Sequence, residues 1–115
     1  ATELAQVRGR ELHAATAPGA DGLRKIQQRV AILSDELRAE AQSFAAGGKA
    51  IFMAVAEDPP SVLLAASPDS GVNAGAVLKA ALAEVGGRGG GNATLAQGSL
   101  NKESLGRFLI QPLFG

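Results

Sequence analysis

The run Ala50-Ile51-Phe52-Met53-Ala54-Val55-Ala56 is followed by Glu57-Asp58-Pro59-Pro60 and then by Ser61-Val62-Leu63-Leu64-Ala65-Ala66. Each apolar run is short and continuous, the pattern of a buried strand. The polar connection is far too short for a parallel crossover, which needs roughly a dozen residues, so the two runs predict an antiparallel hairpin. Downstream, Pro68-Asp69-Ser70-Gly71 reads as a turn, and Asn73 can cap a helix running through Ala76, Val77, Leu78, Ala81 and Leu82 to Val85, where Gly86 ends it. The glycine-rich stretch Gly86-Gly87-Arg88-Gly89-Gly90-Gly91 follows, then Asn92 to Leu100 as loop or a single turn. A last helix is expected from Lys102 to Gln111, stopped by Pro112.

Upstream of the hairpin, Gly47-Gly48 closes what reads as the best helical pattern in the chain. Leu23, Ile26, Val30, Leu33 and Leu37 recur at alternating steps of three and four, with Phe44 one heptad beyond Leu37. Asp21 can cap the start, and Arg29, Asp35, Glu36 and Arg38 decorate the other faces. Such a seam pairs with the first helix, expected from Thr2 to Ala14, or with a copy of itself, which makes these five residues the candidates for dimerisation. The expected fold is α+β. N-terminal helices, including the long heptad-patterned one, occupy residues 1–48 as a hairpin or stalk. A small antiparallel hairpin-based sheet packed with two helices fills 49–115.

Composition bounds the function. With 115 residues, 46% hydrophobic content and only four Phe as aromatics, the chain suits one compact core filled by Ala, Leu, Val and Ile. Such a core is light, and a partner surface would help its stability. Eleven basic residues balance eleven acidic ones, six against six up to Gly48 and five against five after it, so nucleic-acid binding requires a local cation cluster. The absence of Cys removes disulfides and thiolate sites and suits a cytoplasmic protein. No run is long enough for a membrane span.

Catalytic chemistry finds no support. His13 is the lone histidine, with Glu11 two positions away on a different helix face, so neither a metal site nor a triad is expected. The serines have no neighbouring base and no nucleophile elbow. The glycine cluster follows a helix rather than a strand and lacks a Gly-Lys-Ser/Thr ending, which argues against ATP, NAD or another cofactor. What it does permit is close backbone approach to another chain or a sugar-phosphate, with Arg88 as the exposed cation.

Asn73-Ala74-Gly75, the helix after it, the Gly-Gly-Arg-Gly-Gly-Gly motif and Leu95-Ala96-Gln97-Gly98 resemble the DHH-associated domain of alanyl-tRNA synthetases and related alanyl-tRNA editing proteins, over roughly Lys49 to Gln111. Val7-Arg8-Gly9-Arg10-Glu11-Leu12 and the heptad pattern are similar in composition to the helical stretch that precedes this domain. The resemblance implies a noncatalytic module that binds alanine-type tRNA at its elbow, helps the protein form a homodimer and is covalently linked to upstream synthetase or editing domains. It implies RNA contact by Arg88 and by Gly86, Gly87, Gly89, Gly90 and Gly91, with Asn92, Lys79, Lys102 and Arg107 as helpers that position sugar-phosphate. Two departures stand out. Asn92-Ala93-Thr94 is neutral where the family places a charged residue and then Pro-Asp, and only a hairpin is expected between the long helix and the Ala-Gly step, an abridged form. No Asp-His-His motif is present, so phosphoesterase chemistry is not expected of this chain. The alternative is a purely structural oligomerisation module, favoured by the neutral charge.

Overall fold

The computed structural model describes residues 2–109. The elements run α1 (Thr2–Ala15), β1 (Arg24–Val30), α2 (Asp35–Ala46), β2 (Ala50–Glu57), β3 (Pro60–Ala66), a 3-10 turn at Pro68–Ser70, α3 (Ala74–Ala83), β4 (Arg88–Gly91), β5 (Leu95–Ser99) and α4 (Lys102–Leu109). The five strands form one mixed sheet in the order β1-β2-β3-β5-β4, with β1 parallel to β2 and the other pairs antiparallel. The α+β class holds, and Glu57 pairs with Pro60 across the expected hairpin. The expected end of the last helix at Gln111 and its stop at Pro112 lie outside the described residues.

Strand alternation explains why the hairpin sequence is apolar without interruption. Ile51, Met53, Val55, Val62 and Leu64 point to one face, where they form a core with Leu78 and Leu82 of α3 and Leu105 and Phe108 of α4. Ala50, Phe52, Ala54, Leu63 and Ala65 point to the other, where Leu37, Ala41 and Phe44 of α2 cover them. Both faces are therefore dry, and a strand covered on both sides has no position for a polar residue. The helix α1 lies beside α2. A side chain at Gly9 would collide with the Glu40 carbonyl and the Phe44 amide, so this glycine sets the close approach of the two helices. His13 Nε2 donates to the Gly48 carbonyl at 2.9 Å, and its ring meets Phe44 edge-on. The lone histidine thus docks α1, a structural task.

The long heptad helix is overturned. Arg24–Val30 is a strand, and α2 begins only at Asp35, after Ser34 caps it by accepting from the Leu37 N–H at 3.1 Å. The physical reason lies in β2, a buried strand whose outer N–H and C=O groups need partners. Arg24–Val30 supplies them as a parallel neighbour, with α2 as the crossover. Within this segment Arg24, Ile26, Gln28 and Val30 turn inward while Lys25, Gln27 and Arg29 face water. Asp21 caps no helix. It turns the chain into β1 by accepting from the Leu23 N–H and the Lys25 ammonium, which together hold its carboxyl below the usual range, the ammonium bond being the larger cause.

The proposed dimer seam is divided accordingly. Leu23 packs at the rim of the core under α3 and α4, while Ile26, Val30 and Leu33 pack at the rim of the core under α2, to which buried Leu37 belongs. Leu37→Ala is expected to lower unfolding free energy by about 2–4 kcal/mol in a urea titration, through cavity formation, without changing the sedimentation coefficient of the native protein. A shift in association state at unchanged stability would sink that reading.

At the junction between α2 and β2, Lys49 adopts a left-handed backbone with φ 48°. Asp69 Oδ1 accepts its N–H at 2.7 Å, and Ser67 Oγ accepts the Ala50 N–H at 2.9 Å. The Lys49 N–H, followed by the Ser67 side chain, holds the Asp69 carboxyl below its ordinary value.

Candidate nucleic-acid interface

The stretch from Asn92 to Leu100, expected as loop or a single turn, carries strand β5, and the glycine motif before it is extended as well. Arg88–Gly91 forms an edge strand paired with β5, and Asn92 turns the chain between them. Its Oδ1 accepts from the Thr94 N–H, the Thr94 hydroxyl and the Leu95 N–H, so the Asn92 side chain is a turn former with its oxygen engaged.

Each glycine of the motif can be assigned from the space around it. Gly86 carries φ 76° and ends α3 in the left-handed conformation that glycine tolerates best. A side chain at Gly87 would meet the Ser99 carbonyl at 2.7 Å and crowd Leu82. One at Gly89 would lie 2.7 Å from both the Gly98 Cα and Leu82 Cδ1, and one at Gly91 would strike the Leu95 carbonyl and Ala96. These glycines, together with Gly98, let α3 settle directly on β4 and β5. Gly90 is different. A Cβ there meets nothing within 4 Å. By the pleat, Gly90 and Arg88 share the face opposite to Gly89, away from α3.

That face is open at the β4 end of the sheet. Helices α1 and α2 cover it over β1, β2 and β3, but Arg88, Gln97, Ser99 and Ser61 line a shallow depression beyond them, with Gly89 and Gly98 contributing backbone. Strand register places Arg88 opposite Ser99, Gly90 opposite Gln97 and Ser61 opposite Ser99. The depression has no carboxylate among its lining residues. Arg88 is exposed and makes no ion pair among the described residues. At the border with α2, Arg38 Nε donates to Gln97 Oε1 at 2.8 Å, while its Nη1 contacts Asp35 at 2.8 Å.

The other expected cations stand elsewhere. Lys79 is exposed on α3, and Lys102 and Arg107 are exposed on α4, so all three lie in the layer on the opposite side of the sheet from Arg88. Among the described residues Arg107 Nη2 reaches the Ser104 hydroxyl, at 3.4 Å. Gln97, Ser99 and Ser61 around Arg88, and Arg38 on Gln97, were not expected there from the sequence. The signal for the first two was the alternation Ala96-Gln97-Gly98-Ser99, with small residues on one face and polar ones on the other. For Arg38 there was none, because its position depends on how α2 crosses the sheet.

A separate cavity of about 230 Å³ lies between the end of α2 and the β3 terminus, lined by Gln42, Ala45, Ala46, Ala66, Ser67, Pro68 and Thr94. It holds no titratable side chain, hence no acid or base for catalysis. Among the described residues no cluster of His, Cys, Asp or Glu could hold a metal ion, and no helix is long and apolar enough to cross a membrane.

Comparison with curated protein sequences finds no match. Among solved structures, the chain resembles the C-Ala domain of alanyl-tRNA synthetase from Aquifex aeolicus, with a TM-score of 0.57 and 19% identity over 81% of this chain and 88% of that one. That likeness is one of fold. The DHHA1 domain family model matches residues 23–111, from the residue before β1 to beyond the described part of α4, and so the chain belongs to the DHHA1 domain family.

Proposed function

We propose that this chain is a tRNA-binding accessory domain of an alanyl-tRNA synthetase-like or alanyl-tRNA editing protein, with the open sheet face around Arg88 as its RNA contact. The observation that carries the reading is Arg88 itself, a guanidinium with no ion pair among the described residues, near a bare glycine and in a depression lined by donors and without carboxylates. Arginine there can bind phosphate through paired N–H bonds, and the glycine lets a sugar-phosphate backbone approach the strand. Base stacking plays no part, since no aromatic ring lines the face. Contact is therefore to the backbone and shape of a structured RNA. Fold likeness to the C-Ala domain supports the synthetase context.

Homodimerisation enters this reading in a reduced form. The apolar residues assigned to a helical seam pack within the fold, and what faces outward is Leu4 and Val7 on α1, Ile32 between β1 and α2, the edge of β1 and the edge of β4. The purely structural alternative, an oligomerisation module, rests on those surfaces.

The test is binding to an alanine tRNA transcript in a salt series. The unaltered chain is expected to bind at micromolar affinity or better. Arg88→Ala should weaken binding about tenfold and reduce the slope of log affinity against log salt by about 0.7–0.9, the value for one lost phosphate contact. An unaltered affinity and slope would remove Arg88 from the interface.

A further inference from the structure

We propose that Arg38 is a second phosphate-binding cation of this surface, held in place by Gln97, so that RNA is gripped from α2 as well as from β4. The inference rests on the RNA-binding reading above and adds a residue from outside the glycine motif.

The argument begins with Gln97. Its neighbours on β5, Ala96 and Gly98, are small and face α3, whereas Gln97 stands on the open face opposite Gly90. Its Oε1 is taken by Arg38 Nε, which leaves the amide N–H groups as donors toward the depression it lines. Arg38 in turn is fixed at two of its nitrogens, Nε on Gln97 and Nη1 on Asp35, and Nη2 has no partner among the described residues. Its side chain is 32% exposed. A guanidinium that is partly buried, oriented by a neutral amide and still able to donate loses little freedom on taking a phosphate oxygen.

Asp35 engages this guanidinium at one nitrogen, Nη1. It is 89% exposed at the first turn of α2, where solvent screens the ion pair. The depression presents Arg88 on its β4 edge with the Gln97 amide and the Ser61 and Ser99 hydroxyls beside it, and Arg38 reaches it from α2 through its bond to Gln97. Gly90, opposite Gln97 on the same face, adds bare backbone beside it. Two cations with neutral donors between them suit a polyanion with regularly spaced charges. Among such ligands, the sugar-phosphate backbone of a structured RNA fits the shallow, ring-free face.

The experiment is the same transcript and salt series on Arg38→Ala, Arg38→Lys and Gln97→Ala, with Arg88→Ala alongside. Arg38→Ala is expected to reduce the salt slope by a further 0.7–0.9 or so and affinity about tenfold. Arg38→Lys should restore the slope but only part of the affinity. Gln97→Ala should keep most of the slope and lose about threefold in affinity, because the cation remains but is no longer aimed. If Arg88→Ala changes the slope and neither Arg38 variant does, the second cation is overturned while the RNA reading stands. If the unaltered chain fails to bind, or if polyglutamate displaces the transcript as readily as competing RNA does, the reading beneath fails as well. Thermal unfolding of each variant shows whether a loss is one of contact. Should Arg38→Ala not fold, Arg38→Lys and Gln97→Ala carry the test.

Discussion

Gly89→Ala is expected to lower the unfolding free energy by about 2–4 kcal/mol, while Gly90→Ala, one residue along the same strand, leaves stability unchanged or raises it by about 0.5–1 kcal/mol. The difference follows from the pleat. At Gly89 the added methyl carbon lies 2.7 Å from the Gly98 Cα, 2.7 Å from Leu82 Cδ1 and 2.9 Å from the Gln97 carbonyl, and two of those atoms belong to backbone that cannot turn aside. Leu82 is itself fully buried against the sheet, so α3 must lift to make room. At Gly90 the same methyl enters open space, and alanine restricts the unfolded chain more than glycine does. The functional effect runs the other way. Gly90→Val should reduce affinity for the alanine tRNA transcript about tenfold by raising a side chain where the RNA backbone lies, with unfolding midpoint held or increased. Urea titrations of the two alanine variants, with binding measured on the folded one and on Gly90→Val, check both halves. A stability loss at Gly90 equal to that at Gly89 would refute the division of the motif into packing and contact glycines.

How far the sequence could be read depends on which interactions are local. The β2 and β3 runs, the Asn73 cap and the Gly86 stop were legible because their signals are complete within a few residues. Asn73 Oδ1 does accept the Ala76 N–H, and Gly86 does take the left-handed conformation. The segment from Leu23 to Leu37 misled because two periodicities coincide in it. Ile26 and Val30 are four apart on a helix and also both even steps along a strand, and only the unmet backbone groups of β2 choose between these readings. The glycine strand was illegible for a related reason. A run of glycines has no pattern to read, and β4 exists because β5 offers it a partner and Leu82 leaves no room for side chains. In the candidate site, Arg88 could be named in advance as the cation among the glycines. Its separation from Lys79, Lys102 and Arg107 could not, since it turns on which face of the sheet each helix covers.

Phe44→Ala is expected to have the largest effect on the fold, about 3–5 kcal/mol, a sizeable part of the roughly 5–15 kcal/mol that holds a domain together. With so few aromatic rings in the chain, Phe44 has little redundancy. It is fully buried and links two layers, meeting Phe52 of β2 with ring centres 5.7 Å apart and His13 of α1 at 5.5 Å, both edge-on. The cavity left behind would close poorly. Helices α1 and α2 already touch backbone to backbone at Gly9, and the His13 ring lies so close to Gly47 that a Cβ there would sit 2.5 Å from it, so α1 has no path inward. On the other side Phe52 is pinned between Ile26 of β1 and Ala65 of β3 in the sheet register. Poor collapse places the cost toward the upper end of the range for buried phenylalanine. Because the His13–Phe44 contact is one of the ties on α1, beside the Gly48 and Ser43–Gln6 hydrogen bonds and the close packing at Gly9, its amides should exchange faster than those of α3 in the variant, with β2 and β3 least affected. A loss below about 1 kcal/mol, or exchange raised equally in every element, would show that Phe44 does not bridge α1 to the sheet.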